Sequence, residues 1–310
     1  MAYNLFIDGG AGTTGLEIAD RLEGRSEFEL VRLNDGERKD PDCRRTALNF
    51  ADFVILCLPD DAAREAVAMI DPASKTRVID ASTAHRTAPG WIYGFPELVG
   101  ESVVAGAERV SNPGCYPTGF LALVAPLVRE RLLPRDWPYT VNAVSGYSGG
   151  GKGLIARFEG EGADIALRSY GLSLDHKHLA EMQSKAGLVH PPVFAPAVVP
   201  AFRGMVVEVP LPVAAMRSAS PPDELRSTLA AYYANSPLVH VHDDSPVSEL
   251  LLHRDSPPTD RLDLYVFADA AGTAARLVAV LDNLGKGASG AAVQSLNLMA
   301  GCDPMAGLRL

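Results

Sequence analysis

The run Ser111-Asn112-Pro113-Gly114-Cys115-Tyr116-Pro117-Thr118 places a cysteine directly after a Pro-Gly turn and just before a stretch of helical periodicity. Pro117 suits the first turn of that helix, where a missing N–H costs nothing. The sulfur then lies at a helix N-terminus, whose dipole and first N–H groups stabilise a thiolate and can hold an oxyanion. That is the setting of a nucleophile. The other three cysteines lack it: Cys57 sits inside the apolar run Phe53 to Leu58 and reads as a small core side chain, while Cys43 and Cys302 lie in polar or terminal contexts. No C-x-x-C pair suggests a zinc knuckle or a dithiol redox motif, and four scattered cysteines make no disulfide scaffold.

A cysteine nucleophile needs a base. The stretch Asp175-His176-Lys177-His178-Leu179-Ala180-Glu181 offers two histidines, which titrate in the useful range. The same residues could start a metal site, but no cysteine or third clustered histidine completes a tetrahedral set, so no metal is expected. Alone, the stretch reads as the start of a surface helix; taken with Cys115, His178 or His176 is the general acid/base. His190, His240, His242 and His253 lie in polar or proline-rich surroundings and receive no role.

A third chemistry is carried by Gly9-Gly10-Ala11-Gly12-Thr13-Thr14-Gly15, between a predicted strand (Leu5 to Ile7) and a predicted helix (Thr14 to Leu22). In that context glycines allow a tight turn and let a pyrophosphate approach the helix N-terminus. Asp35 falls 20 residues after Gly15, where a carboxylate would bond the ribose hydroxyl of NAD, yet Arg38 and Lys39 follow and favour the 2′-phosphate of NADP. Position alone leaves the choice open; the paired cations point to NADP(H). Two further glycine-rich stretches, Ser145 to Lys152 and Asn283 to Gly290, follow predicted strands and allow backbone to lie against a ligand. Arg86 and Arg203 are candidates for anionic substrate groups.

The elements that must position these residues follow from patterning. Phe53 to Leu58 is a continuous apolar run, as in a strand buried on both faces of a parallel sheet, and an Asp at 60 or 61 is placed to cap the amphipathic stretch after it. Arg77 to Asp80 and Val103 to Ala105 read as further strands. The alternation indicates an α/β fold, a Rossmann-type doubly wound parallel sheet. After residue 118 the texture changes. A helix over Thr118 to Glu130 is followed by strands at Tyr139 to Val144, Met205 to Leu211, Leu262 to Phe267 and Ala275 to Leu281, with a Pro- and Asp-rich connection from Leu238 to Pro258. This is the pattern of an α+β domain with a mixed or antiparallel sheet. Ala288 to Met299 is again helical.

Composition restricts partners. With 28 basic and 38 acidic side chains the formal net charge is −10, which argues against nucleic acid or an anionic membrane surface. No apolar run approaches the roughly 20 residues that span a bilayer, and no basic region precedes the short apolar stretch at the N-terminus. A soluble, cytoplasmic protein is expected.

Taken together, these motifs resemble N-acetyl-γ-glutamyl-phosphate reductase, an enzyme of arginine biosynthesis, and the shorter of its two types in particular. The resemblance is carried by the glycine turn, Ile79 to Arg86, Tyr93 to Leu98, Asn112 to Thr118, Ser145 to Gly149, His176 to His178, Val199 to Gly204 and Asp282 to Ala288. It spans nearly the whole chain. The Asn-Pro-Gly-Cys-Tyr-Pro-Thr run is specific to that family, while the general plan is shared with aspartate-semialdehyde dehydrogenase. The resemblance implies a Rossmann domain, residues 1–117 completed by 286–310, and an inserted catalytic and oligomerisation domain, residues 118–285. It also implies NADPH, an acyl-phosphate substrate, release of inorganic phosphate through a Cys115 thioester, and a homo-oligomer, dimer or tetramer. The cofactor-binding residues expected on this basis are Gly9, Gly10, Gly12, Thr13, Thr14, Gly15, Arg38, Lys39, Ser82, Asn283 and Gly287. Asn112, Arg86, Ser145, Gly146 and Arg203 are expected at the substrate. Longer family members follow their second histidine with a Thr-Pro-Glu type run where this chain has Leu179-Ala180-Glu181, so which histidine acts stays open. Competing readings are a reductase of aspartyl phosphate or of carrier-bound aminoadipyl phosphate, a non-catalytic NADP-binding regulator, and a structural oligomer.

Overall fold

A computed structural model of the chain describes residues 2–243 and 247–310. In chain order the elements are β1 (Tyr3–Asp8), α1 (Thr13–Arg21), β2 (Phe28–Val31), α2 (Pro41–Phe50), β3 (Phe53–Leu56), α3 (Asp60–Met69), β4 (Arg77–Asp80), β5 (Ile92–Tyr93), α4 (Pro96–Val99), α5 (Glu101–Ala105) and β6 (Arg109–Ser111). They continue as α6 (Cys115–Arg129), β7 (Thr140–Gly146), α7 (Gly151–Glu159), β8 (Arg168–Ser169), α8 (Leu179–Ala186), β9 (Val193–Val199) and β10 (Met205–Leu211). The last are α9 (Pro222–Tyr232), β11 (Val239–Val241), β12 (Leu262–Ala268), β13 (Ala275–Leu281) and α10 (Gly290–Ala300). The chain forms two compact units, Met1–Pro113 with Ala288–Leu308, and Gly114–Gly287 with Arg309–Leu310.

The first unit holds a six-stranded sheet in the order β2-β1-β3-β4-β6-β5, and every pair in it is parallel. Side-chain alternation explains its two cores. Leu5, Phe53, Ile55 and Ile79 face one side with Ile18 of α1 and Val293 and Leu296 of α10, whereas Phe6, Val54, Leu56 and Val78 face the other with Leu48 of α2 and Ala63 and Ala66 of α3. A strand packed on both faces must be apolar throughout, which is why β3 reads as an unbroken run. The strand order reverses at β1, between β2 and β3, and the glycine turn leaves the C-terminal end of β1 at that switch point.

Two expectations need correction in this unit. Val103 to Ala105 belong to helix α5, not to a strand; the strand is β6, and Val104 is fully buried in the core that includes α10 residues. Gly100, at φ 99°, ends α4 and restarts the chain as α5, and the packing of Val104 outweighs the β preference of two valines. The N-cap of α3 is Pro59 and not an aspartate; Asp60 instead accepts from the Thr83 N–H (2.9 Å) and is also bonded by the Thr83 hydroxyl.

The second unit carries a seven-stranded mixed sheet, β11-β12-β13-β10-β7-β9-β8. Pairs β7–β9 and β11–β12 are parallel and the others antiparallel. Inward positions alternate along each strand, as in Met205, Val207, Val209 and Leu211 of β10. Helix α6, buried from Tyr116 to Leu127, packs on this sheet, with Gly119 pressed against Val207 and Ala279. Its expected start at Thr118 moves to Cys115, because Gly114 is extended (φ −73°, ψ 150°) and acts as N-cap. Within the Leu238 to Pro258 connection lies β11, while residues 244–246 fall outside the described residues. A π-helical turn, Gly285–Ser289, leads into α10. Among the described residues no helix is long and apolar enough to cross a membrane.

Candidate active site

Cys115 occupies the first helical position of α6. Helix geometry leaves the N–H groups of this first turn without intrahelical acceptors, so the sulfur lies where an anion is favoured. Pro117 stands at the third position and has no N–H to satisfy, while Thr118 closes the turn with bonds from its N–H and hydroxyl to the Gly114 carbonyl, both 2.9 Å. The remaining N-cap donor, Gly114 N–H, is taken by a side chain whose only sequence-level role is that of a possible metal ligand: Glu181 of α8 accepts from it at 2.9 Å. On the other flank, a Cβ on Gly287 would stand 2.9 Å from the Cys115 Cβ. Cys115 therefore fits only beside a glycine.

The two histidines gather around the same helix end in different surroundings. His178 is the N-cap of α8, is 6% exposed and has its ring 6.0 Å from that of Tyr116. His176 lies among Tyr116, Tyr170 and Phe194, with ring centroids 6.2, 5.7 and 5.0 Å away. Burial in that aromatic surround, helped by the adjacent Lys177 ammonium, pulls the His176 imidazole down to about 4. It is neutral at physiological pH, and its Nδ1 accepts from the His178 N–H at 3.2 Å. The Tyr170 hydroxyl donates to that of Tyr116 (3.3 Å), which donates to the Ala197 carbonyl (3.2 Å). Burial holds the Tyr116 phenol far above its ordinary range, so it stays protonated beside Cys115.

Several other candidates in this unit are engaged in holding loops. Ser145 is buried and donates to the Gly146 carbonyl (3.0 Å), and Gly146 lies so close to Ala201 and Phe202 that a Cβ would press on their carbonyls. Asn283 bridges Ser148 Oγ (3.0 Å) and the Gly204 N–H (2.9 Å) through its two amide ends. Arg203 pairs with the buried Asp282 at 2.9 Å. Lys286, only 1% exposed, precedes Gly287 in the π-turn.

In the first unit the glycine turn is built as a cradle. Gly9 has φ 84°, and a Cβ there would meet the Cys57 carbonyl oxygen at 2.2 Å; on Gly15 it would meet Gly10 Cα at 2.7 Å. These two glycines are required by the fold itself. Gly12 is different: its added Cβ would touch nothing nearer than the Gly9 oxygen at 3.3 Å. It is also the N-cap of α1, without a side-chain cap, ahead of Thr13 and Thr14 in the first turn. Open backbone at a helix N-terminus fits a pyrophosphate. Arg38 and Lys39 are exposed after β2, and Arg38 pairs with Asp35. Ser82 is tied to Asp80 through its N–H and hydroxyl, both 2.8 Å. Arg86 is buried with its Nε on the Asn112 carbonyl at 2.9 Å. The Asn112 amide nitrogen donates to the Ala288 carbonyl (2.9 Å), which fixes its orientation and leaves the buried Oδ1 without a hydrogen-bond partner. Cys57 is the opposite of Cys115: burial pushes its thiol up to about 12.

Two family models match the chain. Residues 115–283 match the semialdehyde dehydrogenase dimerisation domain, and residues 4–105 match the semialdehyde dehydrogenase NAD binding domain. The chain is 47% identical to N-acetyl-gamma-glutamyl-phosphate reductase 2 of Nostoc sp., over 98% of each chain. It is 49% identical to the N-acetyl-gamma-glutamyl-phosphate reductase of Burkholderia ambifaria, over 96% of each. Among solved structures it resembles aspartate semialdehyde dehydrogenase II of Vibrio cholerae, with a TM-score of 0.69 at 17% identity, covering 97% of this chain and 99% of that one.

Proposed function

The chain belongs to the semialdehyde dehydrogenase family and, within it, to the N-acetyl-γ-glutamyl-phosphate reductases, and from that premise we propose how its own residues carry out the reaction. The observation that carries the reading is Cys115 at the first position of α6, with the rings of His176 and His178 packed near Tyr116, the next residue of that helix. Cys115 Sγ attacks the acyl carbon of N-acetyl-γ-glutamyl phosphate. A carbon–sulfur bond forms, the carbon–oxygen bond to phosphate breaks, and inorganic phosphate leaves. First-turn N–H groups of α6 supply donors for the carbonyl oxygen as it gains charge. The dinucleotide, when bound, supplies the hydride that reduces the thioester carbon. The resulting thiohemiacetal oxyanion re-forms its carbonyl and expels the Cys115 thiolate, leaving N-acetylglutamate γ-semialdehyde.

His178 is the general acid/base in this scheme. It takes the thiol proton before attack and returns a proton to the expelled sulfur after the aldehyde forms. His176, neutral and bonded to the His178 N–H, serves as its support. NADP(H) is the cofactor, on the strength of Arg38 and Lys39 after β2; the Gly9 to Gly15 turn holds its pyrophosphate, and the buried Asn112 Oδ1 offers an acceptor to a bound group. The protein acts in arginine biosynthesis in the cytoplasm, as a homo-oligomer built on the dimerisation domain.

The test is the reverse reaction at alkaline pH, with N-acetylglutamate γ-semialdehyde, phosphate and NADP, followed by absorbance of the reduced cofactor. Phosphate-dependent signal with this aldehyde and not with aspartate semialdehyde is the expected result. The opposite preference keeps the chemistry and replaces the substrate. Cys115→Ser abolishes the reaction while NADPH still binds; turnover near that of the parent protein would overturn the thioester route.

A further inference from the structure

Helix α8 starts with His178 as N-cap and Glu181 at the third helical position. A glutamate there ordinarily turns back to accept from the N–H of its own N-cap, closing a capping box. In this chain that partnership is exchanged. The His178 N–H is taken by His176 Nδ1 at 3.2 Å, and the Glu181 carboxylate reaches across to the N-cap N–H of a different helix, Gly114 of α6, at 2.9 Å. Glu181 is 2% exposed, so its carboxylate has left water for this position. Lys185, one turn further along α8, faces the same carboxylate. Gly114 is directly followed by Cys115, and Glu181 lies one turn after His178 on the same helix.

We infer that Glu181 is a positioning residue: it pins the α8 turn that carries His178 to the α6 turn that carries Cys115, and so sets the register between nucleophile and acid/base. This rests on the roles given to Cys115 and His178 above. The single oxygen acceptor is what the position requires, because the donor is a buried backbone N–H that has no intrahelical alternative. Losing it costs the alignment of the reacting groups, and misplacement on the order of 1 Å costs about 100-fold in rate.

Three variants separate this from a role in folding alone. Glu181→Gln keeps an oxygen acceptor at full length; Glu181→Met fills the space without one; Glu181→Asp keeps the charge but retracts the acceptor by one methylene. The expected result is kcat within about threefold of the parent for Gln and a fall of about 30- to 100-fold for Met. The KM for NADPH stays unchanged in both, and alkylation of Cys115 by iodoacetamide still goes to completion. If Glu181→Met does not yield folded protein, Glu181→Asp decides: a fall in kcat of more than about fivefold at constant KM for NADPH supports the register role. Parent-like kcat in Met or Asp overturns it, as does a loss in Met matched by an equal rise in KM for NADPH. Cys115→Ser run in parallel distinguishes the two failures. If that variant is inactive while all Glu181 variants are normal, the thioester route stands and the positioning role falls; if Cys115→Ser is active, the premise itself is wrong.

Discussion

A methyl group on residue 287 would stand 2.9 Å from the Cys115 Cβ and 3.1 Å from the Asp282 carbonyl oxygen. The first distance is shorter than real side chains tolerate, and neither neighbour is a flexible tip that can swing away. Gly287→Ala therefore displaces Cys115, the proposed nucleophile. Turnover should fall by about 100-fold, as expected for a shift of order 1 Å at reacting atoms, while circular dichroism stays that of the parent; steady-state kinetics on the folded variant checks it. The contrast between Cys115 and Cys57 shows what residue-level reading can do. Both cysteines are visible in the sequence, and their neighbours alone separate them: a Pro-Gly turn before a helix against the middle of an apolar strand. The structure gives that difference a physical form, with one sulfur at a helix N-terminus and the other thiol pushed up to about 12 by burial. Gly287 stands in the sequence as part of a glycine-rich stretch and as an expected cofactor contact; its packing against Cys115, 172 positions earlier, is encoded by no local pattern.

In the proposed reading the chemistry lies at the starts of α6 and α8, and His176, two residues before the N-cap of α8, carries a pH dependence. His176 must keep Nδ1 unprotonated to accept from the His178 N–H, and burial lowers its folded-state value to about 4 against 6.5 for the free side chain. Between those values the unfolded chain binds the proton more readily than the folded one. The stabilising contribution is therefore complete above about pH 6.5 and is lost as pH falls toward 4. His176→Asn, which keeps an acceptor but does not titrate, should flatten that part of the urea-midpoint against pH curve; an unchanged slope would remove His176 as its source. Elements were readable where periodicity and punctuation agreed: β10 and β13 fall at the expected residues, and α6 starts three residues earlier, at its cysteine, and ends one residue earlier, at Arg129. They were misread where a short β-branched run met tertiary packing, as at Val103 to Ala105. Glu181 stood in view at helix-cap spacing, yet its partner lies 67 residues away, and no local pattern encodes that bond.

On the scale of the molecule, the chain leaves its first unit after Pro113 and returns to it at Ala288, so Cys115 and the glycine turn belong to different units. The alternation of apolar runs with helices made the parallel sheet legible, and the change of texture after residue 118 marked the second sheet. The non-local strand order of that sheet, β11-β12-β13-β10-β7-β9-β8, was not readable, since it depends on pairings between distant segments. This separation makes the proposed cofactor turn testable without touching Cys115. Gly9 and Gly15 are poor probes, because a Cβ at either one collides with backbone of the same unit. Gly12 is the informative position: nothing but the Gly9 oxygen, at 3.3 Å, approaches its added Cβ. If that open backbone exists for a pyrophosphate, Gly12→Ala should weaken NADPH binding by about tenfold, the scale of one displaced backbone hydrogen bond. The melting temperature and the cofactor-free rate of Cys115 alkylation should both stay close to the parent values. Titration calorimetry and thiol labelling on the same preparation measure the two quantities side by side. A Gly12→Ala protein that binds NADPH as tightly as the parent would show that the turn is only a strand–helix connection, and would move the pyrophosphate elsewhere.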